Sequence, residues 1–101
     1  MLGAIPAARA RDLGVTVVRP GMTDILTATV VEGPVTIALV GDGDTDLDLY
    51  VYDPLGRLMG YDDDLTDRCL VRFQAYIPGR YTIRVVNRSN YVANRYAIAI
   101  D

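Results

Sequence analysis

After Gly14 apolar and polar residues alternate with a period of two through almost the whole chain, and helical spacing is absent. This is the pattern of strands that turn one face to a core and the other to water. "GVTVV" (14–18) is stopped by Arg19-Pro20-Gly21, "DILTATVVE" (24–32) by Gly33-Pro34, and "VTIALV" (35–40) by a Gly-Asp run. "LDLYVYD" (47–53) meets Asp53-Pro54-Leu55-Gly56, a turn with proline second and glycine fourth, and "RLMGY" (57–61) returns from it. "RCLVRFQAY" (68–76), "RYTIRVVN" (80–87) and "RYAIAI" (95–100) complete the series. Eight short strands broken by turn signals predict an all-β fold, a jelly-roll or Greek-key β-sandwich of short antiparallel strands.

The alternation also predicts faces. If Tyr52 lies opposite Arg57, then Val51 faces Leu58, Tyr50 faces Met59, Leu49 faces Gly60, Asp48 faces Tyr61 and Asp46 faces Asp63. Leu47, Leu49, Val51 and Leu58 then share the core side. Asp46, Asp48, Tyr50, Tyr52, Met59, Tyr61 and Asp63 point outward. A tight hairpin at Pro78-Gly79 would set Phe73 against Arg84 and Gln74 against Ile83, mixing the apolar and polar rows of both strands. Residues 77–80 are therefore expected to carry the chain from one sheet to the other.

Length and composition narrow the class. At 101 residues the chain is read as one domain, 14–101, preceded by a flexible arm, 1–13. Half the residues are hydrophobic, which excludes a disordered tail, and no apolar run approaches the roughly 20 residues of a membrane-spanning helix. The arm has no basic stretch of the kind that begins a secretory signal.

The net charge of −3 is unevenly spread. Nine aspartates lie between positions 42 and 67 against Arg57 alone, and six arginines follow between 68 and 95. An acidic middle next to a basic end predicts pairing within the molecule, so nucleic acid is not an expected partner. The chain has no histidine, a single serine and a single cysteine, with no phosphate loop or nucleophile elbow. It is not expected to be an enzyme. Cys69 is expected to be a small buried hydrophobe, and Asn87-Arg88-Ser89 matches a glycosylation sequon.

The acidic run itself raises a question of chemistry. Asp42, Asp44 and Asp46 fit the first, third and fifth places of an EF-hand loop, but Leu47 stands where that loop needs glycine and Asp53 where it needs glutamate. The flanks are strands, so an EF-hand is excluded. In the register above Asp46 opposes Asp63, with Asp48 next along one strand and Asp62 and Asp64 beside the other. Carboxylates about 6.6 Å apart on one face repel by about 2.5 kcal/mol per pair at an effective dielectric near 20. A counterion would relieve this, and a donor set of carboxylate oxygens alone points to Ca²⁺ ahead of Mg²⁺. The other reading is that these acids are solvated, guard a sheet edge and are balanced by Arg72 or Arg84. Beside them Tyr50, Tyr52, Met59 and Tyr61 form an outward stripe, a candidate face for a protein or polymer, if it is not packed beneath loops.

From about residue 24 to residue 100 the chain resembles bacterial pre-peptidase C-terminal domains, which are related to the collagen-binding domains of clostridial collagenases. "DLDLYVYDPLG" (46–56), "YDDD" (61–64) and "PGRYTIRVVN" (78–87) carry the resemblance. It implies a non-catalytic jelly-roll accessory module on a secreted or cell-surface bacterial protein, contacting a protein or an extracellular polymer. It also implies Ca²⁺ at the aspartates of the strand start and the acidic turn, matched here by Asp46, Asp48, Asp62 and Asp63. The alternative is a self-assembling subunit, a homo-oligomer in which the arm and strand 14–18 pair with a neighbouring protomer.

Overall fold

The structure, a computed structural model, describes residues 11–101 apart from the side chain of Asp12. Most of the expected arm, residues 1–10, lies outside the described residues. Eight strands follow one another: β1 (Arg11–Val18), β2 (Thr23–Val30), β3 (Gly33–Val40), β4 (Leu47–Tyr52), β5 (Leu58–Asp62), β6 (Arg68–Ala75), β7 (Gly79–Asn87) and β8 (Asn94–Ile100). They form two four-stranded sheets in the orders β1-β8-β3-β6 and β2-β7-β4-β5, with antiparallel neighbours throughout. β1 begins three residues earlier than the alternation predicts and pairs with β8 of its own chain.

Only β4 and β5 are joined as a hairpin; every other connection changes sheet. The crossing expected at residues 77–80 is among them, since β6 and β7 lie in opposite sheets. Short connections between the sheets close the two layers over one core, filled by Ile37, Leu39, Leu47, Leu49, Ile83 and Ile98 with Tyr81 and Tyr96. Each such side chain contributes about 1.5–3 kcal/mol on burial. The two core tyrosines keep their hydroxyls bonded, Tyr81 donating to Ile77 O at 2.7 Å and Tyr96 to Asp24 Oδ2 at 2.8 Å. Burial, seconded by the Asp24 carboxylate, raises the Tyr96 hydroxyl pKa.

The hairpin departs from the expected register. Asp53, not Tyr52, pairs with Arg57: Asp53 N donates to Arg57 O at 2.8 Å, and Asp53 Oδ1 accepts the N–H groups of Leu55 and Arg57. Observed partners are Leu49–Asp62, Tyr50–Tyr61, Val51–Gly60 and Tyr52–Leu58, with a bulge that leaves Met59 unpaired. Three expectations fail with that register. Leu58 turns outward and is 49% exposed. Met59 packs against the core instead of joining the outer stripe. Asp46 does not oppose Asp63. Gly60 takes the inward place opposite Val51, where a Cβ would stand 2.6 Å from Val71 Cγ1.

Cys69 is buried, as the sequence predicts, with Sγ donating to Leu47 O at 3.2 Å. Burial, with Asp62 and the neighbouring aspartates adding to it, pushes the thiol up to about 12. The folded protein is therefore expected to resist disulfide reagents at pH 8 and to react in full once denaturant exposes Cys69. Because the folded pKa is the higher one, this group's contribution to stability is intact below about pH 9 and is lost as pH rises toward 12. A denaturation series across that range checks the direction.

Candidate functional site

Most of the clustered carboxylates accept backbone N–H groups and so shape the loops they belong to. Asp42 Oδ2 accepts Arg95 N at 2.9 Å and Oδ1 accepts Asp44 N at 3.1 Å, and the Arg95 N–H leads the effects that hold its pKa below the usual value. Asp67 Oδ2 accepts Gly43 N and Asn94 Nδ2, while Asn94 Nδ2 also reaches Thr45 Oγ1. Asp62 Oδ2 accepts Leu70 N at 2.9 Å, and Asp64 Oδ1 accepts both the N–H and the hydroxyl of Thr66. Burial raises Asp53, but donation from Arg57 and Leu55 overrides it and leaves the carboxyl below its usual pKa. The bonds from Asp42 to Asp44, within the 53–57 turn and from Asp64 to Thr66 are local turn chemistry, whereas those from Asp42 to Arg95, from Asp67 to Gly43 and Asn94, and from Asp62 to Leu70 tie separate segments together.

Two acids behave differently. Asp48 sits at the head of β4 with 2% exposure, and its Oδ2 accepts Arg88 Nε at 2.6 Å. Arg88 reaches it because its own backbone N–H is fixed on Asp46 O at 2.9 Å. Asp46 Oδ1 and Asp48 Oδ1 are both buried without a hydrogen-bond partner. Burial, followed by the Asp48 charge, raises Asp46, against the opposing effect of Arg88.

Of the five expected ligands, the structure thus brings Asp46 and Asp48 together, with Asp64 close enough to add to the Asp46 shift. Asp62 is turned onto Leu70 N, and Asp63 is exposed. No group of three or more acidic, histidine or cysteine side chains is placed to hold a metal ion among the described residues. Among the described residues the acidic run is ion-paired with Arg57 at Asp53 and with Arg88 at Asp48, and not with Arg72 or Arg84.

At neutral pH the crowded Asp46 carboxylate is a cost. A raised folded pKa means that its stabilising contribution belongs to the protonated form, present below its ordinary value of 3.8 and lost as pH rises. Asp46→Asn presents an amide donor to Asp48 Oδ1 and is expected to stabilise the protein by about 1 kcal/mol at pH 7 in chelator. The gain should vanish below pH 3.8. Denaturant midpoints at the two pH values measure it.

Asn87 explains why Arg88 is held in place. It is 2% exposed, and its Nδ2 donates to Val18 O, Arg19 O and Val92 O. The sequon asparagine is therefore a buried joint in the fold, closed to glycosylation. Its signal in the sequence was the inward parity of position 87 on β7.

The tyrosine stripe lies on the outer face of the β2-β7-β4-β5 sheet. Registers place Ile25, Arg84, Tyr50 and Tyr61 in one row and Thr27, Thr82, Tyr52 and Leu58 in the next. Tyr50 and Tyr61 stack with centroids 6.1 Å apart, and the Arg84 guanidinium lies 5.3 Å from the Tyr52 ring centre. Ile25 and Tyr61 are 64% and 56% exposed, so the face is open although its aromatics are ordered. Ile25 and Leu58 belong to it and were missed by reading one hairpin alone.

No family model matches the sequence, and no curated protein matches it either. Solved structures do match. One is the pre-peptidase C-terminal domain of a collagenase from Bacillus anthracis, with a TM-score of 0.68 and 15% identity over 87% of this chain and 88% of that one. The chain has the fold of a pre-peptidase C-terminal domain. The resemblance read from "DLDLYVYDPLG" and "PGRYTIRVVN" agrees with this likeness of fold. Two others share the β-sandwich. PliG from Aeromonas hydrophila, a periplasmic inhibitor of g-type lysozyme, has a TM-score of 0.68 and 16% identity, covering 92% of this chain and 85% of that one. The Yersinia pseudotuberculosis-derived mitogen has a TM-score of 0.65 and 12% identity, covering 90% and 83%. No helix among the described residues is long and apolar enough to cross a membrane.

Proposed function

We propose that the protein is a non-catalytic binding module of a secreted or cell-surface bacterial protein, which contacts a protein partner through the outer face of β2-β7-β4-β5. The observation that supports this reading is the open row of Ile25, Tyr50 and Tyr61, with Leu58 and Tyr52 beside it. Aromatic and aliphatic side chains ordered before contact lose little conformational entropy on binding, which suits them to anchor an interface. Surface plasmon resonance against immobilised g-type lysozyme and a triple-helical collagen peptide tests it. Binding to one of them, weakened at least about tenfold by Tyr50→Ala with Tyr61→Ala, is the expected result. Binding that the double variant leaves unchanged removes this face from the reading, and binding to neither removes these two partner classes.

A bound cation is the second reading, favoured by the two unpartnered oxygens of Asp46 and Asp48. Ca²⁺ would be held by those two carboxylates, with Asp64 nearest to them, and would neutralise the charge that Arg88 leaves unbalanced. Ca²⁺ at 100 times its dissociation constant should stabilise the protein by about 2.7 kcal/mol. An unchanged melting curve with Ca²⁺ and with chelator, or an equal rise in Asp46→Asn, removes this reading.

A further inference from the structure

The outer face of the other sheet, β1-β8-β3-β6, has a different chemistry. Across its four strands the registers align Val15, Ala97, Val40 and Arg68 in one row, and position Asp12, Ala99, Ala38 and Leu70 in the next. Val15, Val40 and Leu70 are 61%, 45% and 46% exposed, and Ala97 and Ala99 are exposed too. Arginines border this flat aliphatic centre on both sides: Arg95 opposite Val17, and Arg72 opposite Thr36. A shallow groove at the β1 side is lined by Val15, Thr16, Val17, Arg19 and Arg95. The ion pairs among the described residues are Arg57–Asp53 and Arg88–Asp48, so Arg68, Arg72 and Arg95 have none. Asp101, hydrogen-bonded through its backbone to Thr36, lies at the margin of the face, where Asp42 and Asp62 are also held, on the backbone N–H groups of Arg95 and Leu70.

We infer that this face docks a second protein partner whose contact surface is aliphatic at its centre and carboxylate-bearing at its margin. An apolar centre with a charged rim is the anatomy of a protein interface, and guanidiniums without partners recognise carboxylates in paired hydrogen bonds. A second copy placed face to face would set these arginines against a second set of arginines, so the surface is not self-complementary. It offers no aromatic ring for a nucleic-acid base to stack on. Apart from Leu70 its apolar side chains are alanine and valine, too short to reach into a lipid interface as a row of leucine or tryptophan would. The partner is thus an acidic protein surface. It is distinct from whatever meets the tyrosine face, and the module would bridge two proteins, one on each sheet.

The test uses a short peptide of alternating glutamate and valine, with its lysine–valine counterpart and phosphatidylglycerol vesicles as further arms, read by amide chemical shifts. Shifts from the glutamate–valine peptide should fall on β1, β3, β6 and β8. Its affinity should drop about tenfold or more in Arg68→Gln/Arg72→Gln/Arg95→Gln, and further with added salt. The variant should melt as the parent does, because these guanidiniums hold nothing in the fold. Absent shifts, shifts confined to β2, β4, β5 and β7, equal binding of the lysine peptide, preference for the vesicles, or unchanged affinity in the triple variant would each overturn the inference. Tyr50→Ala/Tyr61→Ala should leave this binding intact, which separates its failure from failure of the tyrosine face.

Discussion

Asn87→Ala is expected to lower the unfolding free energy by about 3–4 kcal/mol, a large part of the 5–15 kcal/mol that holds a domain folded. One amide nitrogen serves three carbonyls: Val18 at the end of β1, Arg19 in the following turn and Val92 in the β7–β8 loop. Its Oδ1 meanwhile accepts Ser89 N at 3.0 Å. Alanine removes all four bonds and brings no replacement. An unsatisfied buried polar group costs about 1–3 kcal/mol, and the more accessible carbonyls recover part of that from water, which sets the lower end of the range. For a domain of this size the melting temperature should fall by about 15–25 °C. The denaturant midpoint should fall with an unchanged slope, because the surface exposed on unfolding stays the same. The loss should also reach the acidic site, since Arg88 follows directly and its Nε would no longer be held on Asp48 Oδ2. Destabilisation below about 1 kcal/mol would mean that water takes over the amide's role and that Asn87 is not the joint described above.

How far the sequence could be read depended on which forces act locally. Alternation at Leu47, Leu49 and Val51 reports a covalent fact, the two-residue period of a strand, so the eight strands and most of their faces were legible. The change of sheet at 77–80 was legible for the same reason, as a clash of parity between Phe73 and Arg84. The β4–β5 register was not. It depends on a side chain closing the turn, with Asp53 taking Arg57 as its partner, and on Val71 in another strand leaving room only for glycine at position 60. The crowding of Asp46 and Asp48 was visible in their spacing. Arg88, forty residues beyond Asp48 in the chain, could not be chosen over Arg72 or Arg84 before the loops were placed. Turn aspartates such as Asp62 and Asp64 resembled ligands because a carboxylate that accepts backbone N–H groups looks in sequence like one that accepts a cation.

Gly41→Ala should cost about 3 kcal/mol, although nothing about the backbone there demands glycine. The demand is for space. A Cβ at position 41 would collide with Asp67 Oδ2, and would stand 2.6 Å from Asp67 Cγ and 2.7 Å from Asn94 Oδ1. Neither neighbour can swing away cheaply. Asp67 Oδ2 holds Gly43 N at 2.7 Å and Asn94 Nδ2 at 2.9 Å, while Asn94 Oδ1 holds Asp42 N at 3.1 Å. Overpacking at a closed site costs about 1–3 kcal/mol, and breaking one or two of these bonds adds about 1 kcal/mol each. Gly43→Ala is the control. It meets open space but sits at φ +88°, so backbone strain alone should cost about 1–2 kcal/mol. If the collision with Asp67 is the cause, Asp67→Ala should absorb part of the Gly41→Ala penalty. The double variant would then be more stable than the sum of the singles by at least about 1 kcal/mol. Additive losses would place the cost in the backbone of the loop instead, and would remove the contact of Asp67 and Asn94 with position 41 as its cause.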